Sequence, residues 1–168
     1  MKRFAAAAVI ALIAASSSHA QSLDEAHAAY LEAWAAAPLA ARKAVFVTGP
    51  AAGYGLQEER ESNAFKAGEP IYIYLEPVGY GWQAADGLNT FGLTVGLRIL
   101  TTSEQELFAQ EGFLDLTTKS AARPTEFFGN VTLNLSGLTA GDYVLELMLD
   151  DIASDETATV SLPITVTE

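Results

Sequence analysis

The 168-residue chain contains no cysteine, only two histidines and only nine basic residues against 21 acidic ones. The missing thiols exclude disulfides, thiol catalysis, cysteine-ligated metals and a lipid-bearing cysteine. The histidines narrow the chemistry further. His19 lies in a leader-like segment, which leaves His27 alone in the remainder. A Ser-His-Asp triad would have to use it, and no Gly-x-Ser-x-Gly nucleophile motif is present. One imidazole does not make a zinc or copper site of the usual kind, so no metal or cofactor is expected. His27 reads as a solvated helix residue. The scarcity of positive charge disfavours a nucleic-acid partner, because like charge repels a phosphate backbone at long range. Charged residues make up 18% of the chain and hydrophobic ones 50%, which argues against disorder over its length.

The first 20 residues have the three parts of a secretory signal peptide. Lys2 and Arg3 supply the positive start and Phe4 to Ala15 an unbroken apolar run. Ser16 to Ala20 is small and polar, with Ser18 and Ala20 at −3 and −1 of a cut before Gln21. An apolar run of that length reaches about 18 Å as a helix, short of the roughly 30 Å of a hydrocarbon core. The alanine-rich leader suits bacterial export, so the mature chain is expected to be periplasmic or secreted. Removal of Lys2 and Arg3 leaves 7 basic against 21 acidic residues, a formal charge of −14. No later stretch is apolar for long enough to span a membrane. In an oxidising compartment without cysteines, stability must come from core packing.

Residues 21–42 are expected to form an N-terminal helix. Ser22-Leu23-Asp24-Glu25 fits a capping box, and Leu23, Ala26, Tyr30, Leu31 and Trp34 recur at helical spacing. Pro38 marks a stop. Residues 49–69 are polar and glycine-rich, long enough as a loop to be functional or mobile. Elsewhere between 43 and 168 the period becomes two. Short runs at Val45–Val47, Ile71–Glu76, Phe91–Ile99, Leu114–Leu116, Phe127–Leu135, Tyr143–Leu149 and Ala158–Val166 predict about seven strands. Gly129 would allow a bulge, and Pro163 would put the last strand at a sheet edge. No helices are interleaved, which excludes a parallel α/β sheet and favours an all-β, antiparallel two-sheet sandwich with one N-terminal helix.

Leu138-Thr139-Ala140-Gly141-Asp142-Tyr143 has the spacing Leu-x-x-Gly-x-Tyr. It resembles the tyrosine corner of immunoglobulin-like and fibronectin type III-like sandwiches, in which a tyrosine hydroxyl ties back to upstream backbone. The resemblance implies an immunoglobulin-like domain over 43–168, with Leu138, Gly141 and Tyr143 in structural roles. The Cys-Trp-Cys core of antibody domains is absent. The chain also resembles secreted bacterial proteins of unassigned function that join an N-terminal helix to such a sandwich. Neither resemblance carries catalytic residues.

Two loops are candidates for binding. Tyr80 and Trp82 lie among glycines, and Asp150, Asp151 and Asp155 lie in the acidic segment 150–156. The resemblance implies that both loops lie at one end of the sandwich, where aromatic rings beside carboxylates could stack on a sugar or grip a protein. Alternatively Trp82 plugs the end of the core. The acidic segment offers the hard oxygen ligands calcium takes, though it has no EF-hand spacing. Tyr72 and Tyr74, taken with Gly92, Thr94 and Gly96, suggest a shallow face on which the helix docks through Tyr30, Leu31 and Trp34. Gly53-Tyr54-Gly55 is too short and too acidic in context for a phosphate loop. The expected function is a non-catalytic module that binds or supports another protein or a glycan. A carbohydrate- or small-ligand-binding module is the alternative, and a carboxylate-based hydrolase a remote third.

Overall fold

The computed structural model describes residues 22–168. The expected signal peptide, residues 1–20, lies outside the described residues. Helix α1 (Leu23–Ala35) starts at the capping box. The Glu25 N–H donates to Ser22 Oγ at 3.2 Å, and the Ser22 N–H donates to Glu25 Oε2 at 2.9 Å. The helix is shorter than the expected 21–42. Pro38 disfavours helical backbone in the residue before it, and Leu39 is buried in the core, so the chain turns into strand before Arg42.

Eleven strands follow among the described residues. Strands β1 (Ala40–Val47), β3 (Pro70–Val78) and β9 (Gly129–Asn134) form one sheet in the order β1-β3-β9. Strands β2 (Ala64–Lys66), β11 (Thr157–Thr167), β10 (Gly141–Asp151), β6 (Leu93–Thr101) and β7 (Glu106–Asp115) form a second, in that order. Strands β4 (Gln83–Ala85), β5 (Leu88–Phe91) and β8 (Thr118–Ser120) make a small third sheet. Every pairing is antiparallel except β2 with β11. The seven runs read from sequence correspond to β1, β3, β6, β7, β9, β10 and β11. The other four strands have three or four residues, too few to display alternation.

Alternation along the long strands builds the core. Ile71, Ile73, Leu75, Val131 and Leu133 from the first sheet meet Val95, Leu97, Leu145, Leu147, Leu149 and Ile164 from the second in one buried cluster. Each such side chain contributes about 1.5–3 kcal/mol on leaving water. Gly92 separates β5 from β6. At its φ of 138° a side chain would be strained and would overlap the Leu116 carbonyl. Gly129 makes no bulge, since β3 and β9 pair without a shift; its hydrogen leaves room for the Leu116 side chain.

The opposite faces of the two sheets point apart, so Tyr72 and Tyr74 share no surface with Gly92, Thr94 and Gly96, and the helix does not dock there. Tyr74 is instead roofed by the loop after β1. Its hydroxyl accepts from the Gly55 N–H at 2.7 Å and donates to Glu76 Oε1 at 2.8 Å. Ala51 and Asn130 exchange two hydrogen bonds, at 2.9 and 3.0 Å. Farther along the segment, Arg60 donates to Glu69 and to the Ser62 and Ala64 carbonyls, with its guanidinium 4.4 Å from the Phe65 ring centre. The expected long loop is thus fastened at several points and includes β2.

Pro163 behaves as an edge proline in part. β2 pairs with β11 only at Thr165–Thr167. The Thr165 N–H points to that side, toward the Asn63 carbonyl, and strand alternation turns the Pro163 nitrogen the same way, away from β10. Tyr143 sits in the core cluster, 9% exposed, and its hydroxyl donates to the Thr139 carbonyl at 2.9 Å.

Tyr143→Phe should lower stability by about 1 kcal/mol, read as a shift in the denaturant midpoint with unchanged slope. An unchanged midpoint would remove the hydroxyl from any structural role. Burial pushes the Tyr74 phenol up from 10.0 to about 12, with its bond to Glu76 adding to the rise and the Gly55 N–H opposing it. Burial also raises Tyr80. Below pH 10 folded and unfolded states hold the same phenolic protons. Between about pH 10 and 12 the unfolded state loses them first, so stability should fall by roughly 1.4 kcal/mol per pH unit for each such phenol. Phenolate absorbance at about pH 11 should show Tyr74 and Tyr80 still protonated while the chain stays folded. Ionisation of both at about pH 10 without unfolding would contradict this.

Candidate functional site

The connection from β3 to β4 closes one end of the sandwich. Gly79 takes φ 76°, and a side chain there would collide with the Pro38 carbonyl, so the chain passes tightly beneath the end of α1. This pulls Tyr80 inward until it is fully buried. Its ring stacks on Phe91 at 5.7 Å and meets Phe127 edge-on at 5.6 Å; its hydroxyl donates to the Pro124 carbonyl at 2.9 Å. The expectation that Tyr80 faces a ligand is therefore corrected. Trp82 is half-buried, and its indole N–H donates to the same carbonyl at 3.2 Å.

Trp34 is what holds the helix. It is 6% exposed, its indole N–H donates to the Tyr80 carbonyl at 2.9 Å, and its ring meets Tyr80 edge-on at 5.2 Å and Trp82 at 6.1 Å. Tyr30 and Leu23 remain exposed. The helix thus docks on the end of the sandwich through one side chain, not on a sheet face through three.

Of Asp150, Asp151 and Asp155, only Asp151 bonds to this end. Asp151 is buried and accepts from the Gly81 N–H at 2.9 Å, the Ser154 hydroxyl at 2.6 Å and the Ala153 N–H at 3.2 Å. Its carboxylate is a clasp between the β3–β4 connection and the β10–β11 turn. Asp150 is the next residue on the strand and so points to the opposite face; it and Asp155 are exposed. Among the described residues no three His, Asp or Glu side chains converge as a metal site. A cleft of about 540 Å³ remains beside Leu31, Pro38, Trp82 and Ser154, with Arg123 over the Trp82 ring at 6.0 Å.

A second opening lies where the two large sheets part. Among the described residues β7 pairs only with β6, and β9 only with β3, so each leaves an edge without a described partner. Between them is an apolar cleft of about 410 Å³, lined by Leu97, Ile99, Leu107, Phe108, Leu133 and Leu138. Leu107 is 45% and Phe108 43% exposed. Sequence reading missed this site because Glu106-Leu107-Phe108-Ala109-Gln110-Glu111 has no clean alternation. Two adjacent large apolar residues between charged ones were the signal available.

The chain matches no known protein-family model and no curated protein. Its site must therefore be read from its own geometry.

Trp34→Ala should cost about 3 kcal/mol and lower Tm by roughly 6–12 °C, since it empties a buried indole site and releases the helix. An unchanged Tm would mean that the helix contributes nothing to the sandwich. Asp151→Asn should cost about 1.5–3 kcal/mol, because an amide turns one N–H₂ group toward donors that now share a carboxylate. Retained stability in a thermal melt would deny the clasp.

Proposed function

We propose that the mature chain is a secreted or periplasmic, non-catalytic binding module, an immunoglobulin-like sandwich that engages another macromolecule at the β7–β9 cleft. The observation that carries this reading is the exposure of Leu107 and Phe108 beside an opening onto the core residues Leu97, Ile99 and Leu133. Keeping two large apolar side chains in water next to a core opening favours association with something that covers them. Support for the immunoglobulin-like assignment comes from the bond between Tyr143 and Thr139 in the Leu-x-x-Gly-x-Tyr sequence. Support for export comes from the leader pattern of Lys2 to Ala20.

The glycan-binding alternative has less behind it. Tyr80 is buried, and the Trp82 indole N–H is already engaged with Pro124. What favours it is the cleft beside Trp82 with Arg123 at its rim.

A photoreactive amino acid at position 107, in cells producing the full chain, should cross-link to a macromolecule and raise the apparent mass. The same residue at exposed Thr159 on β11 should not. Absence of a cross-link at 107, or equal cross-linking at both positions, would overturn the binding reading. Sequencing of the recovered chain should begin at Gln21; a start at Met1 would overturn export.

A further inference from the structure

We infer that the β7–β9 cleft receives an extended polypeptide strand, added to the free edge of β7, whose apolar side chains enter the cleft and whose solvent-facing side chains are lysine or arginine. This rests on the reading of the cleft as a macromolecular binding site and specifies its occupant.

The backbone argues for a strand. β7 pairs with β6 along one side and has no neighbour among the described residues on the other, so a row of backbone donors and acceptors faces outward. The usable row is short. Leu97 pairs with Gln110 and Val95 with Leu114, so three residues, Glu111 to Phe113, stand opposite Gly96 alone. This bulge, with Gly112 at φ 58°, ends the regular edge. Glu106 to Gln110 remain, a length of about 17 Å, of which Phe108 to Gln110 pair regularly with β6 while Leu107 is an extra residue opposite the step from Ile99 to Leu100. That same stretch carries Leu107 and Phe108 on the wall of the cleft. Alternate residues of an added strand point one way, so one set would reach Leu133 and Leu138 across the opening while the other stays in water. A docked helix would fill the cleft but leave the edge groups of β7 without protein partners.

Charge selects the occupant. Between Ile99 and Thr118 the chain carries Glu104, Glu106, Glu111 and Asp115 and no basic residue. Among the described residues only Glu106 has a cationic partner there, Arg98 at 3.0 Å. A strand with lysine or arginine on its outer face meets this acidic border favourably. A second copy of the chain is disfavoured, since pairing β7 with β7 would bring Glu106 and Glu111 of each copy near those of the other, and like charges across strands destabilise. The net charge of −14 expected for each mature chain adds long-range repulsion.

The test uses the mature chain with three synthetic heptapeptides. One alternates leucine with lysine, the second alternates leucine with glutamate, and the third is the lysine peptide with alternate backbone amides methylated to block strand pairing. The lysine peptide should bind at least about tenfold more tightly than either other, weaken as salt rises, and slow amide hydrogen exchange at Glu106 to Gln110. Phe108→Asp should weaken it by about tenfold or more with no loss of Tm, and Leu107→Ala by less. Equal binding of the methylated peptide, protection elsewhere, or no binding would overturn strand addition. So would slowed exchange at β7 in the peptide-free chain accompanied by dimerisation, which would make a second copy the occupant. In each of those cases a cross-link from position 107 would still uphold a macromolecular site. Loss of that cross-link alone would sink the broader reading.

Discussion

Apolar contact between the inner faces of β3 and β9 on one side and β6, β10 and β11 on the other is the interaction on which everything else rests. With no cysteine in the chain, no disulfide orders these strands. Ile73, Leu75, Val131, Leu145, Leu147 and Leu149 are fully buried, and they come from three strands, β3, β9 and β10. A core of this kind fixes register, because a slip by one residue would turn the whole apolar set outward. The polar devices at the periphery then have fixed platforms. Asp151 can reach Gly81, and Tyr143 can reach Thr139, only because the strands carrying them are already held.

The sequence was most informative where strands are long and buried on one face. β3, β6, β10 and β11 alternate over enough residues for period two to be unmistakable, and the capping box at Ser22 and Glu25 marked the start of α1. It was silent on β2, β4, β5 and β8, which exist through pairing partners far away in the chain. It misled at Tyr80. A tyrosine between glycines reads as a loop aromatic, but Gly79 bends the chain under Pro38 and sends the ring into the core. Local sequence does not contain that contact, since Pro38 and Tyr80 are brought together by the pairing of β1 with β3. The same distance effect separates Tyr74 from Gly96: both belong to alternating runs, yet their strands lie in different sheets.

The two openings of the sandwich are closed to different degrees. At the helix end, Trp34, Tyr80, Trp82, Phe91 and Phe127 form a chain of ring contacts, and both phenol and indole donors find carbonyls. Aromatic rings suit this job because they cover much apolar area while their polar tips can be satisfied locally. At the β7–β9 side no equivalent plug exists. Leu135 and Leu138 from the β9–β10 loop pack against the core, but Leu107 and Phe108 remain in water.

That asymmetry bears on how the open edge is tolerated. A flat, apolar edge strand invites indiscriminate pairing with other chains. β7 keeps Leu107 and Phe108 exposed yet surrounds them with Glu104, Glu106 and Glu111, and irregularities at Leu107 and at Glu111 to Phe113 leave only a short regular stretch between them. Carboxylates repel copies of the same acidic chain, while the irregularities limit how far any strand can pair. Neither feature blocks a short extended segment of opposite charge. The restraints that protect the edge from self-association are thus the same ones that would make it selective, since an intruding strand must be both short and basic to satisfy them.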